Sequence, residues 1–114
     1  MVNWKSLHRQ INFKIQLKRN VFYEVVWVND FPNGKTEGET RFQERQIALK
    51  KDVNARETVK TFLHEVAHAF AHEYDIPLPE SSVEKLEEGL YFLLKKDNLF
   101  KGAKNVKRTS RKRK

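Results

Sequence analysis

The first half of the chain carries the hydrophobic pattern of β-strands. Residues 11–17 alternate apolar and polar side chains, which is the two-residue period of a half-buried strand. Residues 21–28 are rich in β-branched and aromatic side chains, so they favour a central strand. Residues 32–34 (Pro-Asn-Gly) predict a turn, and residues 38–51 offer a third extended segment. We therefore predict a small sheet of about three strands.

The second half carries the pattern of two amphipathic helices. Asn54 and Glu57 have the spacing of a capping box, so a helix should begin after Asn54. Pro77 disfavours helical geometry in the residue before it, so this helix should end near Tyr74. A second helix is expected over residues 79–96. The positions predicted to be buried are Val59, Phe62, Leu63, Val66, Ala67 and Phe70 on the first helix, and Val83, Leu86, Leu90, Leu93 and Leu94 on the second.

Strands followed by helices predict an α+β domain over residues 1–100. The distribution of charge distinguishes this domain from a basic tail at residues 101–114. The formal net charge is +8, and residues 101–114 hold eight of the 23 basic residues but none of the 15 acidic ones. The domain is therefore neutral, and the tail, which has almost no apolar residues, is expected to be disordered. Such a tail either aids solubility or binds nucleic acid weakly and without sequence preference by neutralising phosphates. The residues predicted for that contact are Lys107, Arg108, Arg111, Lys112, Arg113 and Lys114.

Several absences narrow the class of protein. The chain has no cysteine, which excludes disulfides, thiolate metal sites and a cysteine nucleophile. No apolar run approaches the roughly 20 residues that cross a bilayer, and the N-terminus lacks the apolar stretch of a secretory signal. We expect a cytoplasmic protein with no membrane partner.

The sequence His-Glu-Val-Ala-His at residues 64–68 is the strongest chemical signal. Residues four apart lie on one face of a helix, so His64 and His68 can each give a ring nitrogen to one Zn²⁺ ion per chain. Zinc lowers the pKa of a bound water towards roughly 7, and Glu65 is placed to act as general base on that water. The alternative is that the two histidines merely pack on a helix face. That alternative gives Glu65 no role in an otherwise apolar helix.

A catalytic zinc needs a third protein ligand. The zincin class with a third histidine is excluded because Ala71 and Tyr74 stand where its glycine and histidine would be. His72 lies two turns from His64, too far for both to close on one ion, although His72 or Tyr74 could stabilise an oxyanion. The remaining candidates are the carboxylates of the second helix, Glu80, Glu84, Glu87 and Glu88. The spacing does not decide among them, since Glu87 points inward with the apolar stripe and Glu84 lies at its margin.

Residues 61–70, 76–80 and 83–90 together resemble the small phage-encoded gluzincins, relatives of the ImmA/IrrE-like metallopeptidases. The resemblance covers about residues 21–100. It implies a minimal zincin fold, a bacterial host cell and a regulatory substrate such as a phage repressor. It also implies that the third zinc ligand is Glu84. The chain departs from the pattern at Glu87, where a small residue is usual.

Two functions are consistent with these features. The first is a zinc-dependent metallopeptidase that binds an extended protein or peptide substrate along an edge strand, predicted near residues 46–50. The second is a non-catalytic, zinc-containing protein that binds a host protein or DNA through its cleft or its basic tail. Loss of catalysis without loss of zinc, as expected for Glu65→Gln, would separate them.

Overall fold

The computed structural model describes residues 4–96, which form an α+β fold of one sheet and three helices. The predicted disordered tail and its nucleic-acid contacts lie outside these residues. In chain order the elements are α1 (Trp4–Arg9), β1 (Phe13–Lys18), β2 (Val21–Val28), β3 (Gly38–Arg41), β4 (Gln46–Lys50), α2 (Ala55–Glu73) and α3 (Glu80–Lys96).

The sheet has four strands in the order β1-β2-β4-β3. β1 pairs antiparallel with β2, β2 pairs parallel with β4, and β3 returns antiparallel beside β4. The predicted third extended segment is therefore two strands, because a turn at residues 42–45 folds it back on itself. The prediction of residues 46–50 as an edge strand is consequently wrong. β4 lies inside the sheet, and β3 is the edge on that side.

One face of the sheet packs against α2 and forms the core. The side chains of Tyr23 and Val25 on β2 and of Ile47 on β4 are fully buried, as strand alternation requires for residues that share one face. Phe62 on α2 is 1% exposed and packs into the same cluster. The short helix α1, which the hydrophobic pattern did not predict, adds Leu7 to this core.

The helix boundaries follow the predicted signals. Asn54 caps α2, since its Oδ1 accepts a hydrogen bond from the Glu57 backbone N–H at 2.9 Å. α2 ends at Glu73, next to the predicted Tyr74, and α3 begins at Glu80. A short connection between two antiparallel helices makes them neighbours, so α3 packs along α2.

The predicted buried faces are correct for most of α2 and wrong for most of α3. Phe70 is 39% exposed, because α2 turns Ala69 and not Phe70 towards the sheet. On α3 Val83 is fully buried, and Leu94 is partly buried against the core. α3 contacts the rest of the molecule mainly along α2, so its second apolar row faces solvent. The exposed residues of that row are Leu86, Leu90 and Leu93.

The edge strand β3 lies close against α2. A Cβ atom added at Gly38 would clash with Cγ2 of Thr61 and would stand 3.3 Å from the Ala48 carbonyl oxygen. Real Cβ atoms essentially never come within 3.0 Å of another group, so glycine permits this approach. The side of β3 that faces away from β4 has no strand partner among residues 4–96.

Candidate metal centre

Three side chains from two helices converge where α2 packs against α3. His64 and His68 stand one turn apart on α2, and Glu80 is the first residue of α3. His64 Nε2 is 2.9 Å from Glu80 Oε2, and His68 Nε2 is 3.1 Å from Glu80 Oε1. One potential ligand atom from each residue lies within 4.8 Å of the other two, and this is the one such group found among the described residues.

Helix geometry explains why Glu80 takes this position and Glu84 does not. At 100° per residue, Glu80 and Glu87 lie within about 20° of one line along α3, whereas Glu84 is about 40° to the other side of Glu80. Glu84 is exposed and is not in the group with the histidines. Glu88 is also exposed and pairs with Lys60 at 2.9 Å. The resemblance implied Glu84, but the structure brings Glu80 to the histidines.

Glu87 contacts the other side of the His64 ring. Its Oε1 is 3.0 Å from His64 Nδ1, and its Oε2 is 3.8 Å from Lys60 Nζ. The side chains of Glu87 and His64 are each 18% exposed, so the contact is shielded from solvent. A carboxylate on the second ring nitrogen is the usual partner of a metal-binding histidine, because it fixes which nitrogen faces the ion.

The two nitrogens of His64 thus both face carboxylate oxygens. A neutral imidazole has one N–H and can donate to only one of them. Partial burial lowers the pKa of His64, but the hydrogen bond with Glu87 and the charges of Glu65, Glu80 and Glu87 outweigh it, so the pKa is raised above its ordinary value. The position facing Glu80 therefore favours a cation, either a proton on Nε2 or a metal ion.

Glu65, the residue after His64 on α2, points towards the edge strand β3. Its Oε1 accepts a hydrogen bond from Thr40 Oγ1 at 2.7 Å, and the same hydroxyl is 3.1 Å from the Glu65 carbonyl oxygen. Both residues are half-buried. Thr40 was not predicted from the sequence, because its position depends on how β3 lies along α2. No local pattern around residue 40 encodes that contact.

His72 and Tyr74, the two candidates for oxyanion stabilisation, take different positions. The Tyr74 hydroxyl donates a hydrogen bond to the Leu17 carbonyl oxygen at 3.2 Å, so it is directed to β1 and not to His64, His68 and Glu80. His72 is exposed and stacks on Phe42 with ring centroids 4.4 Å apart. His72 lies on the side of α2 that faces β3.

The converging groups fit zinc. Zinc binds imidazole nitrogen and carboxylate oxygen at about 2.0–2.2 Å in a tetrahedron, which spaces the ligand atoms about 3.4 Å apart. The two nitrogen–oxygen distances end on different oxygens of the Glu80 carboxylate, and each is within about half an ångström of that spacing. Two histidines and one glutamate also match the composition of a catalytic site that keeps a fourth position for water or substrate.

In comparisons with models of protein families, with curated proteins and with solved structures, nothing matches this chain. No helix within residues 4–96 is long and apolar enough to cross a membrane.

Proposed function

We propose that this chain is a zinc-dependent metallopeptidase of minimal zincin type. The observation that carries the proposal is the meeting of His64, His68 and Glu80, with Glu87 on the far nitrogen of His64. In this proposal Glu80 takes the third ligand position that the resemblance to ImmA/IrrE-like peptidases assigned to Glu84. The phage-related setting implied by that resemblance belongs to the same proposal, and so does the cytoplasmic location expected from the sequence.

The protein side chains have separate tasks in the proposed reaction. His64, His68 and Glu80 hold the ion, and Glu87 keeps His64 in the orientation that presents Nε2. Zinc, when bound, acts as a Lewis acid and lowers the pKa of water. Glu65 takes one proton from the attacking water and delivers it to the amine that leaves as the peptide bond breaks. Thr40 holds Oε1 of Glu65, which fixes the direction of this carboxylate.

The substrate is expected on the open side of β3. This strand carries the Thr40–Glu65 contact and has an unpaired edge within the described part of the chain. An extended peptide can add to such an edge through backbone hydrogen bonds. The proposed substrate-binding strand is therefore β3 (residues 38–41) and not the predicted strand at residues 46–50.

Glu65→Gln tests the proposal against the alternative of a non-catalytic zinc-binding protein. The variant keeps the size of the side chain and the hydrogen bond with Thr40 but cannot accept the water proton. We expect one zinc per chain in both proteins by elemental analysis, and a fall in cleavage of unfolded casein by about 100-fold or more. Equal cleavage by the two proteins, or wild-type protein that binds zinc and cleaves nothing, would contradict the peptidase assignment.

A further inference from the structure

Three successive contacts show how the edge strand β3 lies along α2. Gly38 lies against Thr61, Thr40 donates a hydrogen bond to Glu65, and Phe42 stacks on His72. Strand positions 38, 40 and 42 alternate onto the same side, which faces α2. Their partners advance along α2 in the same order. β3 and the residue after it therefore follow the helix from Thr61 to His72.

Phe42 and His72 form an aromatic surface next to the metal centre. Their rings stack at 26°, and Phe42, in the turn after β3, is 38% exposed. At 100° per residue, positions 61, 65, 68 and 72 of α2 fall within about 60° of one another. The aromatic surface therefore faces the same side of the helix as Glu65 and His68.

The spacing relates this surface to a bound peptide. Two residues along an extended chain span about 7 Å, and Phe42 is two residues beyond Thr40, directly after the end of β3. A peptide paired with the edge of β3 repeats its side chains with the same period. If its reacting bond lies beside Thr40 and Glu65, the side chain two residues away reaches Phe42 and His72.

We propose that Phe42 and His72 form a specificity subsite for a large apolar, preferably aromatic, side chain of the substrate, two residues from the cleaved bond. This inference rests on the proposed peptidase function. Exposed aromatic faces gain most from another flat apolar group, since ring pairs add stabilisation beyond the area they bury. An acidic side chain has no ring with which to form such a pair.

A binding experiment tests the subsite without requiring catalysis. The probes are the peptides Ac-AAFAAA-NH2 and Ac-AADAAA-NH2, titrated into ¹⁵N-labelled full-length Glu65→Gln protein loaded with zinc. We expect the phenylalanine peptide to bind about tenfold more tightly and to shift the amide signals of residues 40–45 and 70–74. Adding Phe42→Ala should remove this preference.

Phe22→Ala is the matched control, because Phe22 is an exposed phenylalanine on β2 whose strand neighbours Val21 and Tyr23 point into the core. It should leave the preference unchanged. Equal binding of the two peptides, or an equal loss of preference in both alanine variants, would overturn the subsite.

Cleavage of a proteome-derived peptide mixture by wild-type protein, read by mass spectrometry, separates this inference from the function on which it rests. We expect large apolar residues to be enriched about fivefold at one position two residues from the cut, and Phe42→Ala to abolish enrichment there alone. Cleavage without that enrichment would overturn the subsite and leave the peptidase function standing. Absence of cleavage together with Phe42-dependent peptide binding would refute the peptidase function and retain a peptide-binding surface.

Discussion

α2 carries two clusters of charged side chains, and the balance of donors and acceptors differs between them. At its C-terminal end Glu73 receives hydrogen bonds from the Tyr23 hydroxyl at 2.7 Å and from Arg45 at 3.3 Å. Its side chain is only 8% exposed, yet each carboxylate oxygen has a donor. This cluster joins the helix to the sheet and requires no further partner.

The cluster in the middle of α2 is not balanced in this way. Glu80 and Glu87 both face His64, and Glu65 also adds negative charge to its surroundings. Carboxylates outnumber the protons that a neutral pair of histidines can supply. The comparison indicates that burial of charge alone is no argument for a metal site. The excess of acceptors around two converging imidazoles supports the proposed site, because it leaves a place for a cation.

Removing a proposed ligand should give the largest difference between the clusters. We expect His68→Ala and Glu80→Gln to weaken zinc binding by more than about 100-fold, because each removes one of three protein ligands. Glu73→Gln should leave the affinity unchanged. Competition with a chromophoric chelator measures all three. Loss of zinc in Glu84→Gln with retention in Glu80→Gln would return the third ligand position to Glu84.

Glu87→Gln should have an intermediate effect on the same measurement. Zinc affinity is expected to fall by about 10- to 100-fold, because the carboxylate that orients His64 is neutralised while the three ligands remain. Glu88→Gln is the matched control, since Glu88 pairs with the same Lys60 but contacts neither histidine. Similar losses in the two variants would mean that Glu87 acts only through its general charge.

Tyr23→Phe should destabilise the fold and spare the metal centre. The Tyr23 side chain is fully buried, and its hydroxyl is the closest donor to Glu73. Removing that donor should lower the free energy of unfolding by about 1–3 kcal/mol, measured by urea denaturation of the zinc-free protein. Zinc affinity should not change. A change in affinity would show that the two clusters are coupled through α2.

The pH dependence of Glu73 gives the smallest predicted effect. The hydrogen bond from Tyr23 lowers the pKa of Glu73, and the charge of Arg45 acts in the same direction against the opposing effect of burial. A carboxyl with a lowered pKa in the folded state stabilises the fold above its unfolded pKa, and this stabilisation is lost as pH falls through the folded pKa.

Wild-type protein should therefore be more stable than Glu73→Gln at pH 6, by about 1 kcal/mol. That difference should shrink as the pH falls below about 4.5, the ordinary value for glutamate. Urea denaturation of the zinc-free proteins at a series of pH values checks it. Because the two proteins share all other titrating groups, a constant difference would show that Glu73 is not responsible.

The sequence predicted the parts of the fold that depend on local signals. The span of β2, the Asn54 cap and the ends of α2 and α3 follow from β-propensity, capping chemistry and proline. The turn at residues 42–45 was missed because it lacks the usual glycine or proline signal. Helix α1 was missed because six residues with two apolar positions show no reliable period.

Contacts between distant segments could not be predicted in the same way. Periodicity placed His64 and His68 on one face, but four acidic residues of α3 remained open because the rotation of α3 about its axis was not known. That rotation brings Glu80 and Glu87 to the histidines. It also exposes Leu86 and Leu90, which a hydrophobic stripe had predicted to be buried.

The close approach at Gly38 limits which residues position 38 can accept. β3 can lie this close to α2 because residue 38 has no Cβ atom, and Thr61 occupies the space where that atom would be. A residue larger than glycine would require either the Thr61 side chain or the strand to shift, and a shift of the strand would change the distance between Thr40 and Glu65. Position 38 thus limits how far Thr40 can lie from Glu65, although Gly38 is not itself one of the proposed site residues.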